Sequence, residues 1–337
     1  MPYITLNKNN FFNNLDIIAK KTKDIDKIAL VLKDNAYGHG IIEIAQMAQE
    51  YGIKRAVVQN SQEAKEIAEY FEYVLVLADY SYEKSPKIRY TINDINMISC
   101  FAKGTKVELK VDTGMHRNGI AVDELYTAFA RIKEHELELE AIFTHHRSAD
   151  ELTSEWYWQN NIFKKVKRHA KELIEEFGFD KLRFHSANSS ALFRAENFDE
   201  DMVRIGIAAY GCMELPTIKN DIFKPVLSLY AKKISSRYLK HGDRVGYGGT
   251  YKIDKISKVS NYDFGYGSGF LRSSSSHYTT PNGSELIGRI SMDNSSFLGD
   301  DEELLIFEDA RVAASFAQTI SYEVLTSLKA EIKRDIL

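Results

Sequence analysis

I-A-L-V-L-K-D-N-A-Y-G-H-G, residues 28–40, is a run of five apolar residues that passes without a break into a lysine and a turn of small and polar residues. Short apolar runs of this kind recur at 55–58, 74–78, 90–92, 106–111, 137–144, 182–186 and 202–208, making eight in all. Between them lie longer amphipathic stretches. Phe11, Leu15 and Ile18, like Leu125, Phe129 and Ile132, are spaced by three and four and fall on one helical face. Asn7 is placed to cap the first of these helices. Eight strand–helix alternations between residues 3 and 211 predict an α/β fold, a parallel (β/α)8 TIM-type barrel; a doubly wound sheet would produce similar local patterns.

The character changes after Pro225. V-L-S-L-Y-A-K-K-I-S-S-R-Y-L, R-V-G-Y-G-G-T-Y-K-I, K-V-S-N-Y-D-F-G-Y-G and E-L-I-G-R-I-S-M read as strands parted by Gly, Ser, Asn and Asp, with helix returning only near 308–328. This predicts a C-terminal, mostly β domain. The expected division is 1–222 for the barrel and 223–337 for the second domain, packed together because no linker separates them.

The chain has 337 residues, 44% hydrophobic and 27% charged, with 19 Tyr and 18 Phe to fill a core. That excludes disorder and low complexity. A net charge of -4 without a basic run gives no footprint for nucleic acid or an anionic membrane. Two distant cysteines, Cys100 and Cys212, suit neither a disulfide framework nor a cysteine metal site. With no signal peptide and no apolar run long enough to span a bilayer, a cytoplasmic protein acting on small molecules is expected.

In such a barrel, chemistry gathers in the loops after the strands. Lys33 follows the first run, Lys110 and Arg117 lie in K-V-D-T-G-M-H-R-N-G after the fifth, and His145 stands in T-H-H-R-S-A-D after the sixth. H-S-A-N-S-S and R-I-G-I-A-A-Y-G follow the last two. A lysine in an apolar barrel mouth would have a destabilised ammonium, which suits a Schiff-base former for pyridoxal phosphate. Ser189, Gly206 and Ile207 fall where these barrels usually hold a phosphate.

These motifs together resemble those of the alanine racemase family, fold type III pyridoxal phosphate enzymes, along almost the whole chain. R-V-G-Y-G-G-T-Y, G-R-I-S-M-D and T-I-S-Y-E in the second domain extend the resemblance. It implies that Lys33 carries the cofactor and acts as one base, while Tyr247 from the partner subunit of a homodimer acts as the other. Racemisation needs acid–base groups on both faces of a planar carbanion, since one base returning its proton to the same face would retain configuration. It further implies that Arg204 faces the pyridine nitrogen and, always protonated, leaves that nitrogen without a proton of its own. His185 would orient Arg204.

The same resemblance assigns the phosphate to Tyr37, Ser189, Gly206, Ile207 and Tyr322, and places His145 near the cofactor ring. Arg117 and Met292 would meet the substrate, Met292 through its backbone amide with Asp293 behind it, and Tyr266 would gate the entrance. Lys110 matches a lysine often carbamylated in the family, which would give an anion to pair with Arg117; the alternative is an unmodified lysine. Ser268 stands where the common G-Y-A-D-G pattern has an acid, and the chain between Asn294 and Thr319 is shorter than usual. The implied reaction is interconversion of L- and D-alanine for peptidoglycan supply.

Three other readings compete. A metal-dependent hydrolase could use His145, His146 and Asp150, but adjacent histidines on a strand point to opposite faces, so no metal is expected. A non-catalytic pyridoxal phosphate homeostasis protein would share the barrel, yet would lack the domain that carries Tyr247 and Met292. A broader amino-acid racemase, acting for example on serine, would keep the chemistry and change the substrate.

Overall fold

The computed structural model describes residues 1–80, 84–216 and 222–337. The first strand, β1 (Tyr3–Leu6), is followed by α1 (Lys8–Thr22), which Asn7 caps by accepting the Asn10 N–H at 2.9 Å. Eight parallel strands come next: β2 (Ile28–Val31), β3 (Arg55–Val58), β4 (Tyr73–Val76), β5 (Ile88–Ile92), β6 (Lys106–Lys110), β7 (Glu138–Phe143), β8 (Arg183–His185) and β9 (Val203–Ile205). Their order is β8-β7-β6-β5-β4-β3-β2-β9, with β2 paired to β9 through Ile28 and Val203. The seam between β8 and β9 is narrow: Asn188 bridges Arg204, and the Arg204 N–H donates to Ala187 O at 3.0 Å. The barrel is therefore nearly closed. All eight strands coincide with the expected runs; β2 and β4 are unbroken apolar because both of their faces are covered and need no polar alternation.

The helical layer is less regular. α2 (Lys33–Tyr37) and α3 (Ile41–Tyr51) follow β2, and α4 (Ser61–Ile67) follows β3. A 3-10 turn at Ile95–Cys100 replaces a helix after β5, whereas α5 (Leu125–Glu134), α6 (Glu155–Phe177) and α7 (Ser189–Arg194) follow β6, β7 and β8. Leu125, Phe129 and Ile132 are buried on one face of α5, as their spacing requires.

The second unit is built on β10 (Leu227–Leu239), a long bent strand. β11 (Arg244–Val245) and β12 (Tyr251–Lys252) form a small hairpin. β13 (Ser257–Tyr262) and β15 (Glu303–Phe307) pair with β10, and β14 (Ser295–Leu298) pairs with β13. α8 (Ala310–Ala317), α9 (Ser321–Thr326) and β16 (Lys333–Ile336) complete the chain.

Three elements depart from the sequence reading, the domain boundary not being one of them. β1 belongs to the second sheet, antiparallel to β10 and parallel to β16, so the N-terminal strand does not sit in the barrel. The expected boundary at 222 abuts 217–221, which lie outside the described residues. The segment 285–292 contributes only two isolated bridges, Glu285 to Thr279 and Leu286 to Phe297, instead of a strand, because Gly288 at φ +71° turns the chain out of extended geometry. The helical region at 308–328 is likewise two helices, broken at Gln318 in the left-handed conformation.

The halves share one core. The Asn7 N–H donates to Val226 O at 2.8 Å, and the Arg334 guanidinium donates to Gly38 O at 2.9 and 3.1 Å. Gly38, at φ +74°, lies so close to α9 that a Cβ there would stand 2.0 Å from Leu325 O. Only glycine permits that approach.

Candidate active site

A cavity of about 580 Å3 opens at the C-terminal ends of the barrel strands. Lys33 and Tyr37 enter it from the turn after β2, and Lys110 and Arg117 from the end of β6 and its loop. His145 follows β7, Ser189 opens α7, and Arg204, Gly206 and Ile207 arrive with β9. Tyr322, on α9, reaches in from the second unit. Ten residues expected at one site thus line one cavity.

The turn that presents Lys33 is left-handed. Asp34, Asn35, Ala36 and Tyr37 have φ between 50° and 55°, although none is glycine. Such a conformation costs roughly 1–2 kcal/mol per residue, so the surroundings must impose it. Ala36 N–H donates to Leu32 O at 2.8 Å, Gly40 N–H to Asn35 O at 3.0 Å, and the Glu63 carboxylate accepts the Asp34 N–H at 2.7 Å. The second Glu63 oxygen accepts Gln59 N–H at 2.7 Å, tying the turn to the end of β3. His39 Nδ1 lies 3.1 and 3.0 Å from Ala36 O and Tyr37 O, so the proton sits on Nδ1. Burial pushes the His39 imidazole down to about 4, keeping it neutral.

The expected apolar surroundings of Lys33 are not what the fold provides. Its ammonium pairs with Asp34 at 3.0 Å and its side chain is 32% exposed. The run before it packs inward, but the left-handed turn carries the lysine to the polar mouth of the barrel.

Opposite, Ser189 Oγ accepts the N–H groups of Gly206 and Ala208 at 3.3 and 3.4 Å. A Cβ on Gly206 would stand 2.9 Å from the Tyr37 hydroxyl. The Tyr37 ring is confined between Tyr210 and Tyr322, whose centroids lie 5.4 and 5.5 Å away. Two phenols, a serine hydroxyl and a glycine backbone amide therefore converge on one corner. Burial raises the phenols of Tyr37 and Tyr322, so both remain donors.

Arg204 occupies the floor. Its Nη1 lies 2.6 Å from His185 Nδ1, and its Nη2 donates to Thr144 O and Ser186 O at 2.8 and 3.1 Å. These contacts engage three of a guanidinium's five N–H donors. Burial lowers Arg204 to about 10, still a cation at neutral pH. Lys110 is lowered to about 8 by burial and by the charges of Arg204 and Arg117. His145 falls well below the usual histidine range through burial, Arg204 and Lys110, so its imidazole is neutral.

Tyr247, Tyr266 and Met292 do not enter this cavity. They are exposed by 67%, 42% and 56%, in turns of the second unit. Tyr266 N–H and Gly267 N–H donate to Ser291 O and Met292 O at 3.0 and 2.7 Å, so the Tyr266 turn lies on the Met292 backbone, beside exposed Asp293. His146 turns away from the cavity, with Nε2 3.1 Å from Ser186 Oγ. Among the described residues, no group of three or more His, Cys, Asp or Glu gathers as metal ligands would.

The sequence reading did not assign Glu63, Asp34 or Asn188. Asn188 caps α7 by accepting Ala191 N–H at 2.9 Å and also lines the cavity. Its position before S-S-A-L is an N-cap pattern that could have been read; nothing in the sequence pairs Glu63 with the turn after β2.

Residues 6–214 match the model of the alanine racemase N-terminal domain, and residues 226–336 that of the C-terminal domain. The chain belongs to the alanine racemase family. This is a family of isomerases. A relative from Nitratiruptor sp., named alanine racemase, is 44% identical over 99% of both chains. One from Campylobacter concisus with the same name is 42% identical over the full length of each. Among solved structures, alanine racemase from Bacillus anthracis with bound L-Ala-P matches all of this chain and 95% of its own, with a TM-score of 0.88 at 24% identity. Histidine racemase from Leuconostoc mesenteroides matches with a TM-score of 0.85 at 22% identity, covering 98% of that chain. Both likenesses concern the fold. The (β/α)8 barrel with a C-terminal, mostly β domain is the architecture expected from the sequence.

Proposed function

We propose that the chain is a pyridoxal 5'-phosphate-dependent alanine racemase that interconverts L- and D-alanine, with Lys33 and Tyr247 of the partner subunit as bases on opposite faces of the substrate. The observation that carries this reading is the convergence of Lys33, Arg204 and the Ser189–Gly206 corner on one cavity. Its size falls in the usual range of roughly 300–1,000 Å3 for cofactor sites.

The donor set fits the cofactor. Gly206 lets the Tyr37 ring come within 2.9 Å of where a Cβ would stand, and the phosphate would be held at that corner of the cavity among Ser189, Tyr37, Tyr322 and the amides of Gly206 and Ile207. Arg204 would donate to the pyridine nitrogen, Lys33 would tether the cofactor covalently, and neutral His145 would lie near its ring. When bound, pyridoxal phosphate supplies an electron sink that acidifies the substrate Cα–H.

Lys33 would take or return a proton at the substrate Cα from its own face. The Tyr247 hydroxyl of the partner subunit does so from the other. Arg117 orients the substrate carboxylate, and the backbone amide of Met292 of the partner subunit meets the same group. The exposure of Tyr247, Tyr266 and Met292 supports a homodimer in which each subunit completes its neighbour's site. A cofactor-holding barrel (1–222) and a domain that reaches into the partner (223–337) belong to this proposal.

Lys110 is suited to carbamylation. With its amine lowered to about 8, roughly a quarter is neutral at pH 7.5. Loss of the ammonium proton, then attack of the neutral amine on CO2 with formation of an N–C bond, opening of one C=O π bond and release of a second proton, would turn a cation into an anion beside Arg117. Supply of D-alanine to peptidoglycan from the cytoplasm completes the reading; among the described residues, no helix is long and apolar enough to cross a membrane.

The test is proton NMR of L-alanine in D2O with the holoprotein, combined with chiral analysis of the same sample. Exchange of the α-proton with appearance of D-alanine is expected. Exchange with retained configuration would remove Tyr247 from its role. Bound cofactor with no exchange on alanine, but exchange on another amino acid in a panel, would transfer the chemistry to a different substrate.

A further inference from the structure

Beneath Arg204 the barrel interior holds a chain of charged side chains. Glu108, on β6, is fully buried. Its Oε2 lies 2.9 Å from His185 Nε2, and His185 Nδ1 lies 2.6 Å from Arg204 Nη1. Its Oε1 accepts Arg183 Nη2 at 2.9 Å and the Tyr73 hydroxyl.

The donor accounting permits one arrangement. A guanidinium has only donors, so His185 Nδ1 must accept and the imidazole proton must sit on Nε2. That N–H then needs an acceptor in a site closed to water, and Glu108 Oε2 is the acceptor within reach. Phe143 stacks on His185 at 4.8 Å with planes 9° apart, so the ring cannot turn without disturbing its neighbour. Although burial pushes the Glu108 carboxyl upward, His185, Arg183 and Tyr73 bring it down to about 2, and it remains an anion. Burial also holds His185 below the ordinary histidine range despite Glu108, so the imidazole between the two charges is neutral.

We infer that Glu108 is a positioning residue for Arg204: it locks His185 in the Nε2–H tautomer, which alone can accept from the guanidinium that lines the cavity floor. The inference rests on the proposed role of Arg204 toward the pyridine nitrogen, because that role gives the arrangement its catalytic consequence. Glu108 touches neither cofactor nor substrate. It acts by fixing which nitrogen of His185 is basic, and thereby the plane and position of Arg204.

Glu108→Gln breaks this arrangement in either amide orientation. If the NH2 faces Arg183 and Tyr73, it meets the Arg183 donor and forces the Tyr73 hydroxyl to turn and accept; if it faces His185, it demands an acceptor at Nε2, leaving Nδ1 protonated against Arg204. Two measurements test the inference. In full-length protein labelled with 15N-histidine, long-range 1H–15N correlation reads the tautomer of His185, assigned by its loss in His185→Asn. The wild type is expected to show protonated Nε2 and bare Nδ1 from pH 6 to 9, and Glu108→Gln to show the Nδ1–H form or a mixture. In the holoprotein, Glu108→Gln is expected to lower kcat on the order of 10–100-fold, the usual cost of losing an outer hydrogen-bond partner. KM for alanine should change by no more than about twofold, because the proposed partner of Arg204 is the pyridine nitrogen and that of the substrate carboxylate is Arg117. Glu108→Asp, which keeps the charge, should recover part of kcat.

A proton on Nδ1 in the wild type overturns the inference even if the variant fails to fold. A Glu108→Gln protein that loses thermal stability but keeps the tautomer and kcat also overturns it, by making Glu108 structural only. If the wild type does not racemise alanine, the proposed function fails, while the tautomer measurement still decides whether Glu108 sets His185.

Discussion

Replacing Lys110 by methionine should stabilise the apoprotein at neutral pH in CO2-free buffer. Methionine keeps the length of the stem and removes a cation that is 8% exposed and placed beside Arg204 and Arg117. The amine is lowered from 10.5 to about 8, and at 1.36 kcal/mol per pKa unit that difference corresponds to about 3 kcal/mol. The sign follows from proton binding. Between about pH 8 and 10.5 the unfolded chain holds this proton and the folded one does not, so wild-type stability rises with pH across that window. Below pH 8 both states hold it and the full cost of the buried cation remains. At roughly 2.1 cal/mol/K of unfolding entropy per residue, the variant should melt about 4 °C above wild type at pH 7. That advantage should decay to nothing by about pH 10.5. Differential scanning fluorimetry of both proteins under argon reads it directly, and comparing the two cancels other groups that titrate in the same range. In bicarbonate at pH 7.5, a carbamate on Lys110 reverses the sign, making wild type the more stable. A difference in melting temperature that does not change from pH 7 to 10.5 would refute the reasoning.

Further outcomes follow from the close contacts. Gly206→Ala should weaken pyridoxal phosphate binding about tenfold or more, since overpacking costs roughly 1–3 kcal/mol and the confined Tyr37 ring cannot retreat from a Cβ 2.9 Å away; fluorescence titration of the apoprotein measures it. Gly211→Ala should destabilise the fold by several kcal/mol, because Gly211 is at φ +80° and its Cβ would stand 1.9 Å from Lys224 O. Urea denaturation would show a lower midpoint with little change in slope. Glu63→Gln should lower kcat more than it alters melting temperature, because it frees the left-handed turn that aims Lys33; kinetics alongside calorimetry separates the two effects.

The barrel was legible because strands such as β2 and β4 are covered on both faces: 28–32 and 74–78 stand out as apolar runs whatever lies between them. β1 was not, since Y-I-T-L carries no mark of partners more than two hundred residues away at β10 and β16. The polar residues after each strand pointed to one cavity, and that cavity exists. Sequence logic erred on the setting of Lys33, because four consecutive left-handed residues without glycine cannot be foreseen from propensity. Glu108 escaped notice for a related reason. In K-V-E-L-K-V it alternates with apolar residues and reads as the solvent face of a half-buried strand, whereas in a closed barrel the inward face carries it to the axis.

The most direct test of a shared active site is subunit complementation. Lys33→Ala and Tyr247→Phe chains, each inactive alone, are mixed in equal amounts, dissociated, reassociated with pyridoxal phosphate and assayed for racemisation. Random pairing makes half the dimers mixed, and each mixed dimer holds one site with both native bases, so activity should return to about one quarter of wild type. Activity that stays at the level of the separate variants would contradict the placement of Lys33 and Tyr247 on different subunits.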